Sequence, residues 1–219
     1  MSLALKKINE QFIKRKDAVA VVDENNSLSY SELDNLSDSL AEKILQLEID
    51  YHNPICISFS RSVETIISIV GILKAGYAYM PIEVDLPESR KKFLIENAKS
   101  DLIISKDRAV LNWLPDNVKT IDVGSTCQNT IESQRLSKIN PEEDSPFFVT
   151  YTSGSTGNPK GVVNSHRGVF NNITHQIETY SIGEKDVFLQ QSALSFDAAV
   201  REIFCALMSG GRLVIPKQG

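Results

Sequence analysis

The sequence predicts an α/β fold, and three observations carry that expectation. Amphipathic windows at helical spacing alternate along the chain with short apolar runs rich in β-branched residues. No internal repeat or low-complexity segment interrupts the alternation. A hydrophobic content of 42% over 219 residues supplies enough apolar surface for a sizeable core.

The first clear element begins at Ser29, which with Glu32 has capping-box spacing. Leu33, Leu36, Leu40, Ile44 and Leu47 then recur at helical intervals to about Glu48. The run from Pro54 to Ser60 reads as a strand, and Val63 to Lys74 as a helix that stops at Gly76, where glycine relieves the last turn. A return strand is expected over Ala78 to Ile82. Pro87 is placed to open the next helix, through about Ala98, because proline at the first helical position loses no hydrogen bond. Strands are expected near Asp101 to Ile104, Val118 to Val123 and Pro146 to Tyr151, with a polar loop over Thr126 to Asp144. A last strand is expected at Arg212 to Ile215.

Bulk properties narrow the function classes. The formal net charge of −5 gives no electrostatic reason to expect nucleic acid or an anionic membrane as partner. The longest apolar stretch, Ile66 to Leu73, falls far short of the roughly 20 residues a membrane helix needs. The first residues lack the apolar core of a signal peptide, so a cytoplasmic protein is expected. Cys56, Cys127 and Cys205 are odd in number and widely spaced, which points to free buried thiols rather than a disulfide framework or a metal site.

The chemistry concentrates in Tyr151-Thr-Ser-Gly-Ser-Thr-Gly-Asn-Pro-Lys-Gly161, where three glycines, four hydroxyl side chains and one lysine lie between two apolar runs. Glycines let backbone N–H groups turn toward an anion, hydroxyls donate further hydrogen bonds, and lysine adds a compact positive charge. A polyphosphate is the natural ligand for that combination. The Walker pattern does not fit: counting from Gly154, Pro159 stands where its second glycine belongs, and Gly161 follows Lys160 instead of Ser or Thr.

Thr152-Ser-Gly-Ser-Thr-Gly-Asn-Pro-Lys-Gly161 resembles the phosphate-binding signature of the acyl-adenylate-forming superfamily, which includes nonribosomal peptide synthetase adenylation domains, acyl-CoA synthetases and luciferases. Leu28-Ser-Tyr-Ser-Glu-Leu33 and Leu73-Lys-Ala-Gly-Tyr-Ala-Tyr-Met-Pro-Ile82, with Pro87 and Arg90 downstream, resemble two further motifs of the peptide-synthetase branch in the expected order. Ser195-Phe-Asp-Ala-Ala-Val-Arg-Glu-Ile-Phe204 resembles the motif in which an aspartate opens a helix beside the substrate pocket. The resemblance covers the chain from about Ile8 to Ile215 and implies that residues 1–219 are the N-terminal portion of an adenylation domain, its sheets flanked by helices and its C-terminal remainder absent.

The implied reaction is ATP-dependent activation of an amino-acid carboxylate to aminoacyl-AMP, with Mg²⁺ assisting and a carrier-protein thiol as the next acceptor. Thr152, Ser153, Gly154, Ser155, Thr156, Gly157 and Lys160 are assigned to ATP, with Lys160 as the catalytic charge stabiliser. Asp197, Ala198 and Arg201 are assigned to the substrate. The matching aspartate pairs with the substrate α-ammonium in amino-acid-activating members, whereas acyl-CoA synthetases, the nearest alternative, generally lack it. A helix N-cap role for Asp197 is compatible with that assignment. Two positions depart from the family pattern: Ala199 replaces a common serine, and Arg201 stands where an aromatic residue is frequent. Arginine there points to an acidic or strongly polar substrate; the competing reading is an exposed Asp197–Arg201 pair one helical turn apart. A third alternative is a non-catalytic module that keeps only the nucleotide loop. Alone, this portion is expected to be inactive and to self-associate through apolar surface.

Overall fold

The computed structural model describes residues 2–106, 113–126, 139–152 and 159–217. The element order is α1 (Leu3–Lys14), β1 (Val19–Val22), β2 (Ser27–Ser29), α2 (Tyr30–Leu45), β3 (Ile55–Ile57), α3 (Val63–Lys74), β4 (Tyr79–Pro81) and α4 (Glu88–Ala98). It continues with β5 (Leu102–Ser105), β6 (Lys119–Asp122), α5 (Val123–Thr126), β7 (Pro146–Thr152), β8 (Lys160–Ser165), α6 (His166–Thr179), β9 (Val187–Leu189), α7 (Asp197–Ser209) and β10 (Arg212–Val214). The strands form two mixed sheets, one ordered β2-β1-β10-β9 and the other β6-β5-β3-β4-β7-β8. In the first, only β2 runs antiparallel to its neighbour; in the second, only β8 does.

The central strands of the six-stranded sheet, β5, β3 and β4, are buried on both faces, and alternation along them shows how. Ile55, Ile57, Tyr79, Leu102 and Ile104 face one apolar cluster, shared with α1, α2, α3, α6, α7 and the four-stranded sheet. Cys56, Met80, Ile103 and Val149 face the other, packed with Ile95 of α4 and Trp113. Strands covered on both sides read as continuous apolar runs, which is why these segments carry no period-two signal in the sequence.

Local chemistry sets the ends of the helices. The Ser29 hydroxyl accepts the Glu32 N–H at 3.2 Å while the Glu32 carboxylate accepts the Ser29 N–H at 2.7 Å, so the expected capping box closes at the start of α2. Tyr30, fully buried next to it, donates its hydroxyl to the carbonyls of Ala206 and Gly211 at 3.2 and 2.8 Å, tying α2 to the end of α7. Gly76 follows α3 with φ of 88°, a left-handed conformation that glycine adopts without strain. Pro87 is the residue flanking α4 rather than its first helical residue, one position earlier than expected. Cys56 and Cys205 are buried free thiols, and burial pushes them up to about 12 and about 11. Cys127 and most of the expected Thr126 to Asp144 loop lie outside the described residues.

Candidate functional site

The glycine-rich segment joins β7 to its antiparallel neighbour β8. Register pairs Thr152 directly with Lys160, so the two ends of the segment face each other across the strands, both side chains exposed. Ser153, Gly154, Ser155, Thr156 and Gly157 lie outside the described residues. Gly161 has a packing reason to be glycine: a Cβ there would stand 3.2 Å from Cζ of the Tyr151 ring, which crosses it on the partner strand. The Tyr151 hydroxyl, raised above the usual phenol range first by burial, donates to Oδ1 of Asn97 on α4 at 2.8 Å and anchors the hairpin to the helix layer.

Farther along the same hairpin Phe148 pairs with Asn164. Each lies four positions from its end of the strand pair, Thr152 or Lys160, about 13 Å at strand rise. There the hairpin meets α6 and the start of α7, and a cavity of about 190 Å³ opens between them. Phe148, Asn164, Val169, Asn172, Asp197 and Arg201 are among its walls. The strand pair thus carries the ends of the glycine-rich segment, Thr152 and Lys160, at one end and a polar cavity bearing one acid and one base toward the other.

Asp197 is the first residue of α7, exposed, and the helix is flanked by Phe196 with no side-chain cap hydrogen bond. The compatible N-cap role is therefore corrected: Asp197 sits one residue inside the helix, and its carboxylate reaches the cavity rather than a backbone N–H. Arg201 lies one turn on, also exposed and on the cavity wall. Among the described residues no ion pair joins Asp197 to Arg201, although they stand at the i,i+4 spacing that would permit one. Ala198 is half-buried beside them and is not part of the cavity wall.

Sequence reasoning missed Asn164 and Asn172, which give the cavity its uncharged polar groups. Asn164 follows the Val162–Val163 run on β8, and Asn172 lies on α6 one turn after Gly168, in a segment not expected to be helical. Behind the cavity His166 opens α6, fully buried. Its Nδ1 shares a 2.9 Å hydrogen bond with the Ser2 hydroxyl, and its ring stands edge-on to Phe147 at 4.7 Å. Burial holds it neutral, down at about 4.

The donors on the hairpin, hydroxyl and ammonium, fit phosphate oxygens rather than a bare cation. Among the described residues no group of three His, Cys, Asp or Glu side chains is placed to hold a metal ion. No helix of the described residues is long and apolar enough to cross a membrane.

Comparison with known proteins agrees with this geometry. The family model described as AMP-binding enzyme matches residues 8–219. The chain is 35% identical to zwittermicin A synthase ZmaJ of Bacillus cereus over 222 residues, covering 100% of the chain and 42% of that relative. It is 32% identical to gramicidin S synthase 2 of Brevibacillus brevis over 209 residues, 95% of the chain and 5% of the relative. The chain therefore spans less than half the length of either. A solved structure of the nonribosomal peptide synthetase FmoA3 with AMPPNP bound superposes with a TM-score of 0.89 at 27% identity, covering 100% of the chain and 23% of that protein. The same protein has been solved with α-methyl-L-serine-AMP bound. With its fold, its hairpin and nearly its whole length matched, the chain belongs to the AMP-binding enzyme family.

Proposed function

We propose that the chain is the N-terminal part of a longer adenylation enzyme that activates an amino acid with ATP. A carboxylate oxygen of the substrate attacks the α-phosphorus, the bond to the β-phosphate oxygen breaks, pyrophosphate leaves, and aminoacyl-AMP remains. The observation that carries this reading is the placement of Asp197, at the start of α7, in the wall of a cavity on the same strand pair as the glycine-rich turn. An ammonium in a water-poor pocket needs a carboxylate partner, and Asp197 supplies it. The turn hydroxyls of Thr152, Ser153, Ser155 and Thr156, the backbone at Gly154 and Gly157, and Lys160 hold the β- and γ-phosphates and stabilise the charge that builds on the leaving oxygens. The attacking carboxylate is already ionised at neutral pH, so no general base is required. Mg²⁺ binds largely through substrate phosphates and water, which suits a site without a carboxylate cluster among the described residues; it supplies charge neutralisation.

Arg201 makes the substrate reading more specific. The i,i+4 spacing sets the Asp197 and Arg201 Cβ atoms about 6 Å apart, a distance that an α-ammonium and a side-chain carboxylate of one acidic amino acid can bridge. Asp197 and Arg201 do not pair with each other, which leaves both charges to the cavity. The acyl-CoA synthetase alternative is disfavoured because its substrates carry no ammonium for Asp197.

The product is handed to a carrier-protein thiol, in the cytoplasm where ATP is available. Kept apart from the rest of its enzyme, the chain self-associates through apolar residues at its sheet edges, Val162 and Val163 on β8 and Val187 and Leu189 on β9. Amino-acid-dependent ATP–pyrophosphate exchange by the full-length polypeptide tests the reading; exchange driven by carboxylic acids that lack an ammonium would replace it with the acyl-CoA synthetase alternative.

A further inference from the structure

The connection between β9 and α7, residues 190–196, delivers Asp197 to the cavity, and charged side chains from three places hold it. Glu202, one turn and a half into α7, turns its carboxylate back on the connection. It accepts the N–H of Gln191 at 3.2 Å, the N–H of Ser192 at 3.1 Å and the hydroxyl of Ser192 at 2.5 Å. Glu83, two residues past β4, accepts the N–H of Ser195 at 3.2 Å. Arg61, past the end of β3, donates from Nη1 to the carbonyl of Gln191.

Two of the anchors, Arg61 and Glu83, follow strands of one sheet, whereas the connection itself leaves a strand of the other. β9 belongs to the four-stranded sheet, whereas β3 and β4 belong to the six-stranded sheet that carries the β7–β8 hairpin, β4 being the neighbour of β7. Without Glu202 and Glu83, the N–H groups of Gln191, Ser192 and Ser195 would lose these carboxylate partners, and the connection would be held by the Gln190 and Phe196 N–H bonds to the carbonyls of Val214 and Ala193 and by buried Leu194. Hydrogen bonds to a carboxylate are shorter and roughly twice as strong as neutral ones, so a few of them can fix a seven-residue connection.

We propose that Glu202, Glu83 and Arg61 are positioning residues for amino-acid capture: they lock the β9–α7 connection so that Asp197 is held at a fixed distance from the glycine-rich hairpin. None of the three lines the cavity. The inference rests on the proposed function, because it assigns Asp197 to the substrate ammonium. Loosening the connection should then weaken amino-acid binding and leave ATP binding, which uses the hairpin, nearly unchanged.

The test uses the full-length polypeptide carrying Glu202→Gln and, separately, the milder Glu83→Gln. Each substitution keeps an amide oxygen that can still accept a backbone N–H but removes the carboxylate charge, so the hydrogen bonds that hold the connection are weakened. Glu202→Gln is expected to raise KM for the amino acid about tenfold and Glu83→Gln about threefold, with KM for ATP within about twofold of wild type. In the same proteins, amide hydrogen exchange in peptides covering residues 190–196 should speed up in both variants. A merely structural role would instead raise both KM values together or lower thermal stability with KM unchanged; either outcome overturns the proposal, as does unaltered hydrogen exchange. If wild-type enzyme shows no amino-acid-dependent exchange at all, the proposed function fails, and the proposed role in capture falls with it. Hydrogen exchange then still decides, as a separate matter, whether the connection is anchored as described.

Discussion

Buried His166 makes stability depend on pH in a defined window. Its ring is fully buried between the Ser2 hydroxyl and the Phe147 ring, and Nε2 has no hydrogen-bond partner among the described residues. A protonated ring would place a charge there, so burial lowers the folded-state value from 6.5 to about 4. The unfolded chain therefore binds the proton first as pH falls. The stabilisation is fully present above pH 6.5 and is lost progressively as pH drops toward 4. At 1.36 kcal/mol per unit, the loss attributable to this residue is about 2 kcal/mol by pH 5 and about 3 kcal/mol by pH 4. Urea unfolding at pH 7.5, 6, 5 and 4, compared with His166→Gln, isolates it from other titrating groups, because glutamine keeps a polar link to Ser2 without titrating. The wild type should lose about 2 kcal/mol more than the variant between pH 7.5 and 5. Parallel loss in the two proteins would refute the reasoning.

Other perturbations follow from the same structure. Gly161→Ala places a methyl group 3.2 Å from the Tyr151 ring; because that ring is only half-buried and can shift, the expected cost is about 1 kcal/mol by chemical denaturation. Tyr30→Phe removes the buried hydroxyl donor from the Gly211 carbonyl, while the Ala206 carbonyl keeps the Gly211 N–H, and should cost about 1 kcal/mol in the same assay. In the full-length polypeptide, Lys160→Ala should lower the rate of pyrophosphate exchange by about 10²–10³-fold, measured at saturating amino acid. Arg201→Ala should reduce discrimination in favour of acidic amino acids in a substrate panel; a wild-type preference for aliphatic substrates would end that part of the reading.

Much of the six-stranded sheet and its helices was legible in the sequence, because the signals there are local. The Ser29–Glu32 capping box, the apolar helix Val63–Lys74 and the stop at Gly76 all depend on neighbours within a few residues. Of the four-stranded sheet only β10, expected at Arg212 to Ile215, was legible. β1 is four residues long and pairs with β10 from the far end of the chain, β2 contains a single apolar residue, and β9 is only three residues long. None of the three has a period that a window could detect. α6 was missed for a different reason. Its sequence, HRGVFNNITHQIET, holds β-branched and asparagine residues of low intrinsic helix propensity, and it becomes a helix by burying Val169 and Ile173 against the core next to α1 and α7. α1 does show Leu5, Ile8 and Phe12 at helical spacing, a signal present in the sequence but passed over.

The candidate site divides along the same line. The hairpin residues and Asp197 could be named because their chemistry is concentrated in short motifs. Asn164, Asn172, Glu83, Glu202 and Arg61 could not, since each gains its place only when segments distant in sequence are brought together. An acid two residues past a strand looks like any solvated surface group until the fold brings the Ser195 N–H to it.

The central claim is that Asp197 and the glycine-rich hairpin together bind an amino acid and ATP for adenylation. The most direct measurement is ATP–pyrophosphate exchange by the full-length polypeptide across a panel of amino acids and matched carboxylic acids lacking the ammonium, for wild type and Asp197→Ala. Exchange stimulated by an amino acid, absent with its deaminated counterpart and abolished by Asp197→Ala, is the expected result. Equal stimulation by the deaminated acid, or exchange indifferent to Asp197→Ala, would contradict it.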